Sequence, residues 1–577
     1  MLFKQPPPPT IAALREKLKS RREWLKQVGL HEVDWRLREC CLTMQESLLL
    51  ARSRLQQHRL AWARKFNNLP EEEVKVLKHI QRRGDIRMNK LDKNLGVVVY
   101  TLQREKEAIK LHLQSSNFAI AQDDRQLQLH DRRKEIWDII LEQAHQMFED
   151  IDMPKDLVEC LLQLVPHLPV RLNHMYVMWK ITAGKTRPIV PSYASPTALA
   201  ARWVHEQLFP YTKAIPTVCL DSLTYTEELH HLERSVPHGA DFIIVELDVV
   251  ALYPSIPIGP AIEAVRRFME EDTTIKPEAR NLILGVLEWV MNNNYIEFDG
   301  MIYRQVDGIV MGSALSIVVA NIFMYKAVEE QVLRAWVDKL LSYKRYMDDI
   351  SVFLLGSEED AHRLKEELEA QCPHIKFTMQ CHRSRANFLD LVIEVERNEG
   401  MHMIDISYRI YRKPGNSMAY LQARSFHPNH TSLGMIKGEF LRYLTKSSKY
   451  EFYLEDIRML INAFINRGFR QEVVVNIAKK IPWASREYYR QRALGSKARD
   501  IPGGGAIFTT TIDPAVQAAL KAGLHIDLTR VRATSTAGTD EEVQQALGRN
   551  LTAVFPSKGA IALKSCAKLR ALLQEKK

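Results

Sequence analysis

The sequence predicts an α+β fold, a sheet layered with helices, on three observations. "DFIIVELDVVALY" (241–253) is a compact apolar run that reads as a buried strand. "KRYMDDISVFLL" (344–355) reads as strand, tight turn, strand. "PEARNLILGVLEWVMNNN" (277–294) and "SALSIVVANIFMYKAVEEQVLRAW" (313–336) carry helical periodicity, so helices are interposed between strands.

Taken in order, the chain opens with a stiff proline leader at 6–9. Residues 11–66 then place Leu and Trp at helical spacing among many Arg and Lys, as in "LREKLKSRREWLKQV". These are two or three basic amphipathic helices, which either track a phosphate backbone or pack as a helical cap. From about 81 the pattern changes. "LGVVVY" (95–100) is a short β-branched run, and a helical stretch covers about 130–165. "TRPIVPSYASPT" is extended and proline-punctuated, and leads into a helix at "ALAARWVHEQLF". After the "KRYMDDISVFLL" hairpin, residues 353–395 give helix, strand, strand. Short strands ("MIDISYRIYRK") follow 400, and helices run to about 500. "IPGGGA" (501–506) marks a linker, and the remainder is a small α/β or partly disordered appendage. No internal repeat is visible.

At 577 residues the chain should form three or four units. With 46% hydrophobic and 26% charged residues it has a globular rather than a disordered composition. No apolar run reaches the length of a membrane span, and "MLFKQPPPPT" lacks the apolar core of a signal peptide, so a nuclear or cytoplasmic protein with no membrane partner is expected. The net charge is +10, and residues 1–93 hold about two basic residues for each acidic one. Such a surface either attracts a polyanion, usually nucleic acid, or is simply a solvated face. The seven cysteines include no CxxC pair. Cys372, His374, Cys381 and His382 match no common zinc spacing, and "HIKFTMQ" between them reads as a strand.

Adjacent carboxylates in an apolar hairpin raise a charge problem. Asp348 and Asp349 fall at its tip, where Asp tolerates the backbone and accepts local hydrogen bonds; alone, that is an ordinary turn. Asp248, near the end of another apolar strand, changes the reading, because an unpaired charge there is expensive. Two strands bringing carboxylates into one site would hold a hard divalent cation, with substrate phosphates and water completing its shell. Two such cations serve phosphoryl transfer, and they neutralise the acids.

These two stretches resemble motifs A and C of reverse transcriptases, "YMDD" being the best-known form of motif C. "LDKNLGVVVY", "TRPIVPSYASPT", "LDVVALYPSIP", "YRQVDGIVMGSALSIVVANIFM", "NFLDLVI", "YRKPGNSMAYLQARSFHPNHTS" and "LINAFINRGF" occur in that order. From about 85 to about 475 the chain resembles the reverse transcriptase domain of Penelope-like retroelements, relatives of the telomerase catalytic subunit. The resemblance implies a right-hand polymerase: fingers over 81–240, palm over 241–395 and thumb over 396–500. A basic helical extension (1–80) precedes it, and a linker and tail of unknown role (501–577) follow.

It also implies site residues. Asp248 and Asp348 would be the metal-binding pair, with Asp349 the adjacent family acid and the Val249 carbonyl an extra ligand, for two Mg²⁺ ions or Mn²⁺. Tyr253 would be the aromatic gate that favours deoxynucleotides. Lys185 and Arg187 would hold the incoming triphosphate, with Asp92 and Lys93 matching a family pair of underived role. Gln305, Gly308 and Gly312 form the motif B loop, where the glycines would let the backbone approach template and nucleotide. Arg412, Lys413, His427 and Arg442 would contact primer and template. Two departures stand out: Ala314 and Ile317 replace the usual prolines, and no GIY-YIG endonuclease segment is visible.

The reaction implied is RNA-directed DNA synthesis: a primer 3′-hydroxyl attacks the α-phosphate of a dNTP on an RNA template, starting from an existing 3′ end. The competing readings are DNA-templated or terminal nucleotidyl transfer on the same fold, and a catalytically idle nucleic-acid-binding scaffold.

Overall fold

The computed structural model describes residues 71–498, apart from 93–95, 123–127, 151–170, 181–184 and a few shorter stretches, together with strands 509–512 and 532–535. The basic helices expected over 11–66 lie outside the described residues, as does Lys93. The chain divides into two compact units, one made chiefly of 83–417, the other including 71–82 and the residues from 418 onwards.

The larger unit is built on a four-stranded antiparallel sheet. Its strands are β1 (Phe242–Val249), β2 (Leu340–Tyr346), β3 (Asp349–Leu355) and β4 (Phe377–His382), in the order β2-β3-β1-β4. Strand alternation explains why β1 sits centrally. Ile243, Val245, Leu247 and Val249 share one face and are all buried. The other face carries Phe242, Ile244, Glu246 and Asp248, passing from apolar to acidic along the strand. Phe242, Ile244 and Phe353 of β3 join a core with helix Ser222–Ser235 and a second sheet. That sheet comprises β5 (Arg385–Phe388), β6 (Leu391–Asn398) and β7 (Met403–Ile410). Each of these large side chains gains about 1.5–3 kcal/mol on burial, which closes this end of the face. A one-residue slip of β1 would turn its acids towards the opposite, buried face, so the register is strongly specified.

Most elements fall where the sequence places them. Strands Val97–Thr101 and Thr186–Ile189 each pair with a neighbour to form short hairpins, and helices span Leu129–Asp150, Ala198–Thr212 and Pro277–Asn292. The expected continuation of the first helix to about 165 lies outside the described residues. "MIDISYRIYRK" forms one eight-residue strand, β7, paired along β6, rather than several short ones. The long helix expected over 313–336 is interrupted. It runs α-helical over Leu315–Phe323, π-helical over Met324–Glu329 and α-helical again over Glu330–Ala335.

The second unit is helical: Glu71–Arg82, α1 (Asn429–Thr445), α2 (Tyr450–Asn466), α3 (Gln471–Lys479) and α4 (Arg486–Ala498). Ile436, Phe440, Leu444, Leu460, Phe464 and Val474 are fully buried and form its core. α2 passes to α3 through Gly468 at φ 87°, a left-handed conformation that glycine adopts without a Cβ penalty. In the tail, strands Thr509–Ile512 and Arg532–Ser535 pair in parallel. Among the described residues no helix is long and apolar enough to cross a membrane.

Candidate active site

The acidic end of the β1–β3 face brings together two of the three predicted carboxylates, Asp248 and Asp349. Asp248 and Asp349 are direct cross-strand partners. The turn consists of Met347 and Asp348, so Asp349 is the first residue of β3 rather than part of the hairpin tip. The Val249 N–H donates to the Asp348 carbonyl at 2.9 Å, tying the turn to the end of β1. Like charges directly opposite each other destabilise a sheet, so this pairing calls for positive charge nearby. Asp248 and Asp349 line an open cleft of about 260 Å³ with Glu246, Thr378, Gln380 and Lys413.

Backbone strain gathers at the same place. Met347 has φ 58° and Ala251, just after β1, has φ 50°; both are non-glycine residues in the left-handed region. Each costs about 1–2 kcal/mol and persists because the flanking strands fix it. Ala251 turns the chain into a single helical turn, Leu252–Ser255, that carries Tyr253. The Tyr253 hydroxyl lies 3.7 Å from the Met347 sulfur. Burial, and then the charge of Asp348, push the Tyr253 phenol above its ordinary value. The tyrosine is therefore neutral beside the carboxylates.

Arg187 lies on the hairpin strand Thr186–Ile189, opposite Met178. Its Nη1 is 3.5 Å from Oδ1 of Asp92, whose carboxylate is only 10% exposed. This contact gives Asp92 a place that the sequence alone does not supply. Lys185 is exposed at the start of the same strand, and its carbonyl accepts from the Lys180 N–H at 3.0 Å.

The motif B loop is packed closely against other parts of the chain. Gly308 (φ 76°) and Gly312 (φ 126°) do allow a close approach, but to the chain itself. A Cβ on Gly308 would lie 2.9 Å from the Pro254 carbonyl oxygen, and one on Gly312 would lie 2.5 Å from that of Val190. The Val190 N–H donates to the Met311 carbonyl at 2.7 Å, and the Ile309 N–H to that of Tyr253 at 2.8 Å. The loop is thus fastened to the segment after Arg187 and to the turn bearing Tyr253. Gln305 is 4% exposed, with both ends of its amide engaged. Its oxygen accepts from Asn294 at 2.7 Å, and its nitrogen donates to the Asp307 carbonyl at 3.1 Å. It braces the loop from inside. Ala314 and Ile317, at the family's proline positions, are both exposed.

Arg412 and Lys413 follow β7, and Lys413 reaches the cleft of the carboxylates. His427 and Arg442 belong to the other compact unit. His427 Nδ1 is 2.8 Å from the Ser425 hydroxyl, and Arg442 donates to Glu439 at 3.4 Å.

Sequence reasoning missed the support beneath the hairpin. Arg345 on β2 and Glu329 at the end of the π-helical turn form an ion pair, and both side chains are 0% exposed. Arg345 also donates to the Asn321 side-chain oxygen at 2.8 Å and the Asn321 carbonyl at 3.1 Å. Thr217 donates to Glu329 at 2.7 Å, and the Arg345 N–H to the Thr217 carbonyl at 2.6 Å. Burial, with Glu329 alongside, holds the Tyr343 phenol well above its ordinary value. The available signal was a lysine and a glutamate, Lys326 and Glu329, the first charged residues after the uncharged run 308–325.

The donor set suits a hard divalent cation. Among the described residues no group of three or more His, Cys, Asp or Glu could hold a metal by itself. Two opposed carboxylates at an open cleft instead fit a cation that keeps water and substrate phosphates in its shell. The zinc combination is also excluded: Cys372 is buried at a helix end, and His382 faces Glu246 at 3.3 Å.

Residues 419–479 match the animal helix-turn-helix domain family, a span that includes α1, α2 and α3. No curated protein matches the sequence. Among solved structures, the chain is similar to telomerase from Candida albicans in complex with the TWJ fragment of telomeric RNA. That likeness has 10% identity and a TM-score of 0.47, over 74% of this chain and 71% of that one. Apo telomerase from Candida tropicalis gives 10% and 0.41, over 71% and 67%. The RNA-dependent RNA polymerase of a human picobirnavirus gives 13% and 0.36, over 56% and 64%. Likenesses this distant say nothing of chemistry.

Proposed function

We propose that the chain is an RNA-directed DNA polymerase of the Penelope-like type, extending a primer 3′-hydroxyl with dNTPs. The observation that carries this reading is the direct pairing of Asp248 with Asp349 across β1 and β3, with Asp348 in the turn between β2 and β3. Asp248, Asp348, Asp349 and the Val249 carbonyl would hold Mg²⁺ or Mn²⁺, which when bound supplies charge stabilisation to the transferring phosphate.

The protein's own groups do the positioning. Arg187 offers a planar fork to phosphate oxygens, and Lys185 a point charge beside it. Tyr253, fixed between Met347 and the motif B loop, would present its bulky ring to a ribose 2′-hydroxyl. Lys413, in the acidic cleft, would meet the primer backbone. The template is RNA, the product DNA, and an enzyme extending chromosomal 3′ ends would work in the nucleus. The helix-turn-helix match over 419–479 supports a nucleic-acid partner for the second unit.

Primer extension on matched RNA and DNA templates, with dNTPs and then rNTPs, tests the reading. RNA-templated incorporation of dNTPs, with rNTPs poorly used, is the expected result. Untemplated tailing alone, or no incorporation, would overturn it.

The Asp92 contact adds a second expectation. Asp92→Asn keeps the shape but removes the charge that holds Arg187, so the KM for dNTP should rise about fivefold, about 1 kcal/mol, with kcat less affected. Steady-state kinetics with varied dNTP decide it. An unchanged KM would mean that Asp92 does not position Arg187.

A further inference from the structure

The second unit carries a set of rings that the polymerase reading assigns no role. Residues 418–498 hold fourteen Lys or Arg against six Asp or Glu, a net charge of +8. Set in it is a row of rings. Tyr453 is buried, and its hydroxyl donates to the Ile481 carbonyl at 2.7 Å. Its ring centroid is 5.7 Å from that of Trp483, which in turn lies 5.9 Å from that of Tyr450. The row runs outward from the core: Trp483 is half-buried and Tyr450 is 46% exposed. The Arg486 guanidinium lies 5.3 Å from the Trp483 centroid and is steadied by donation from Nε to the Ser447 carbonyl at 2.7 Å. Two residues further, Tyr488 is 61% exposed. Lys449 immediately precedes Tyr450, and exposed Lys480 lies three residues before Trp483.

An exposed ring anchored through a half-buried tryptophan to the core costs little entropy to keep in place, since its neighbours already hold it. With the Arg486 guanidinium against the Trp483 ring and Lys449 and Lys480 close in sequence, it suits a polyanion that also presents flat apolar faces. In duplex nucleic acid those faces are stacked inside the helix. In a single strand they are free to stack on aromatic side chains while the backbone meets the cations.

We propose that Tyr450, Trp483 and Arg486, flanked by Tyr488, form a docking site for single-stranded nucleic acid on the second unit. The site goes beyond the polymerase reading and does not depend on the carboxylates.

The test is a fluorescence-anisotropy titration of the full chain with labelled oligothymidylate and oligouridylate, without dNTP or divalent cation. Tyr450→Ala should weaken binding about tenfold, the loss of one stacked base, while leaving the slope of log affinity against log salt unchanged. Tyr450→Phe, which keeps the ring, should bind like the parent. Loss with both oligonucleotides supports a site that does not read the sugar, and loss with one identifies that strand as the occupant. The proposal is overturned if Tyr450→Ala binds like the parent, if Tyr450→Phe is as weak as Tyr450→Ala, or if a blunt duplex displaces the strand as well as an unlabelled single strand does.

Discussion

Replacing Asp248 or Asp348 by alanine is expected to lower primer extension by about a thousandfold or more, corresponding to the several kcal/mol that charge stabilisation supplies in phosphoryl transfer. The geometry makes this more than a motif argument. Asp248 and Asp349 oppose each other in one ladder, and the Asp348 carbonyl is bonded to the Val249 N–H, so the three acids are set by a single register. Folding should survive: Asp248→Ala relieves the like-charge opposition to Asp349, and Asp348 lies in the turn, outside the ladder. A single-turnover assay beside thermal unfolding separates the two effects. Extension that persists in Asp348→Ala would remove Asp348 from the site.

The second large effect is expected at the buried pair below the hairpin. Glu329→Ala leaves the Arg345 guanidinium charged, enclosed and short of its main partner, a situation that costs about 3–5 kcal/mol. The double variant Glu329→Met with Arg345→Met removes both charges and should recover much of that loss, since apolar replacement of a whole buried pair is often close to neutral. Denaturant unfolding of the parent, the single and the double variants measures it. A single variant as stable as the parent would show the pair to be dispensable.

How much of this was legible in the sequence depends on how local the cause is. β1 and the β2–β3 hairpin were legible because their apolar runs are short, continuous and bounded by turn residues. The three acids stood out because charge is costly in such runs. That Asp349 rather than Asp348 opposes Asp248 was not legible, because it depends on the exact two-residue extent of the turn. The glycines of the motif B loop announced a close approach but not its partner, since Val190 and Pro254 come from distant parts of the chain. Arg345 and Glu329 were invisible as a pair: each looks like an ordinary surface charge until the helix and the strand are packed together. Asp92 needed the hairpin carrying Arg187 before it had a role.

The π-helical turn at Met324–Glu329 also limits how this protein can vary. A regular helix advances about 100° per residue. Deleting one residue from the α-helical part, Leu315–Phe323, with the π-helical turn kept, would therefore swing Glu329 about a quarter-turn off Arg345. The spacing between the motif B loop and the β2–β3 hairpin is thus a phase as well as a length. Substitutions can accumulate along this helix, but its residue count is held by a charge it must deliver sixteen residues ahead of its partner.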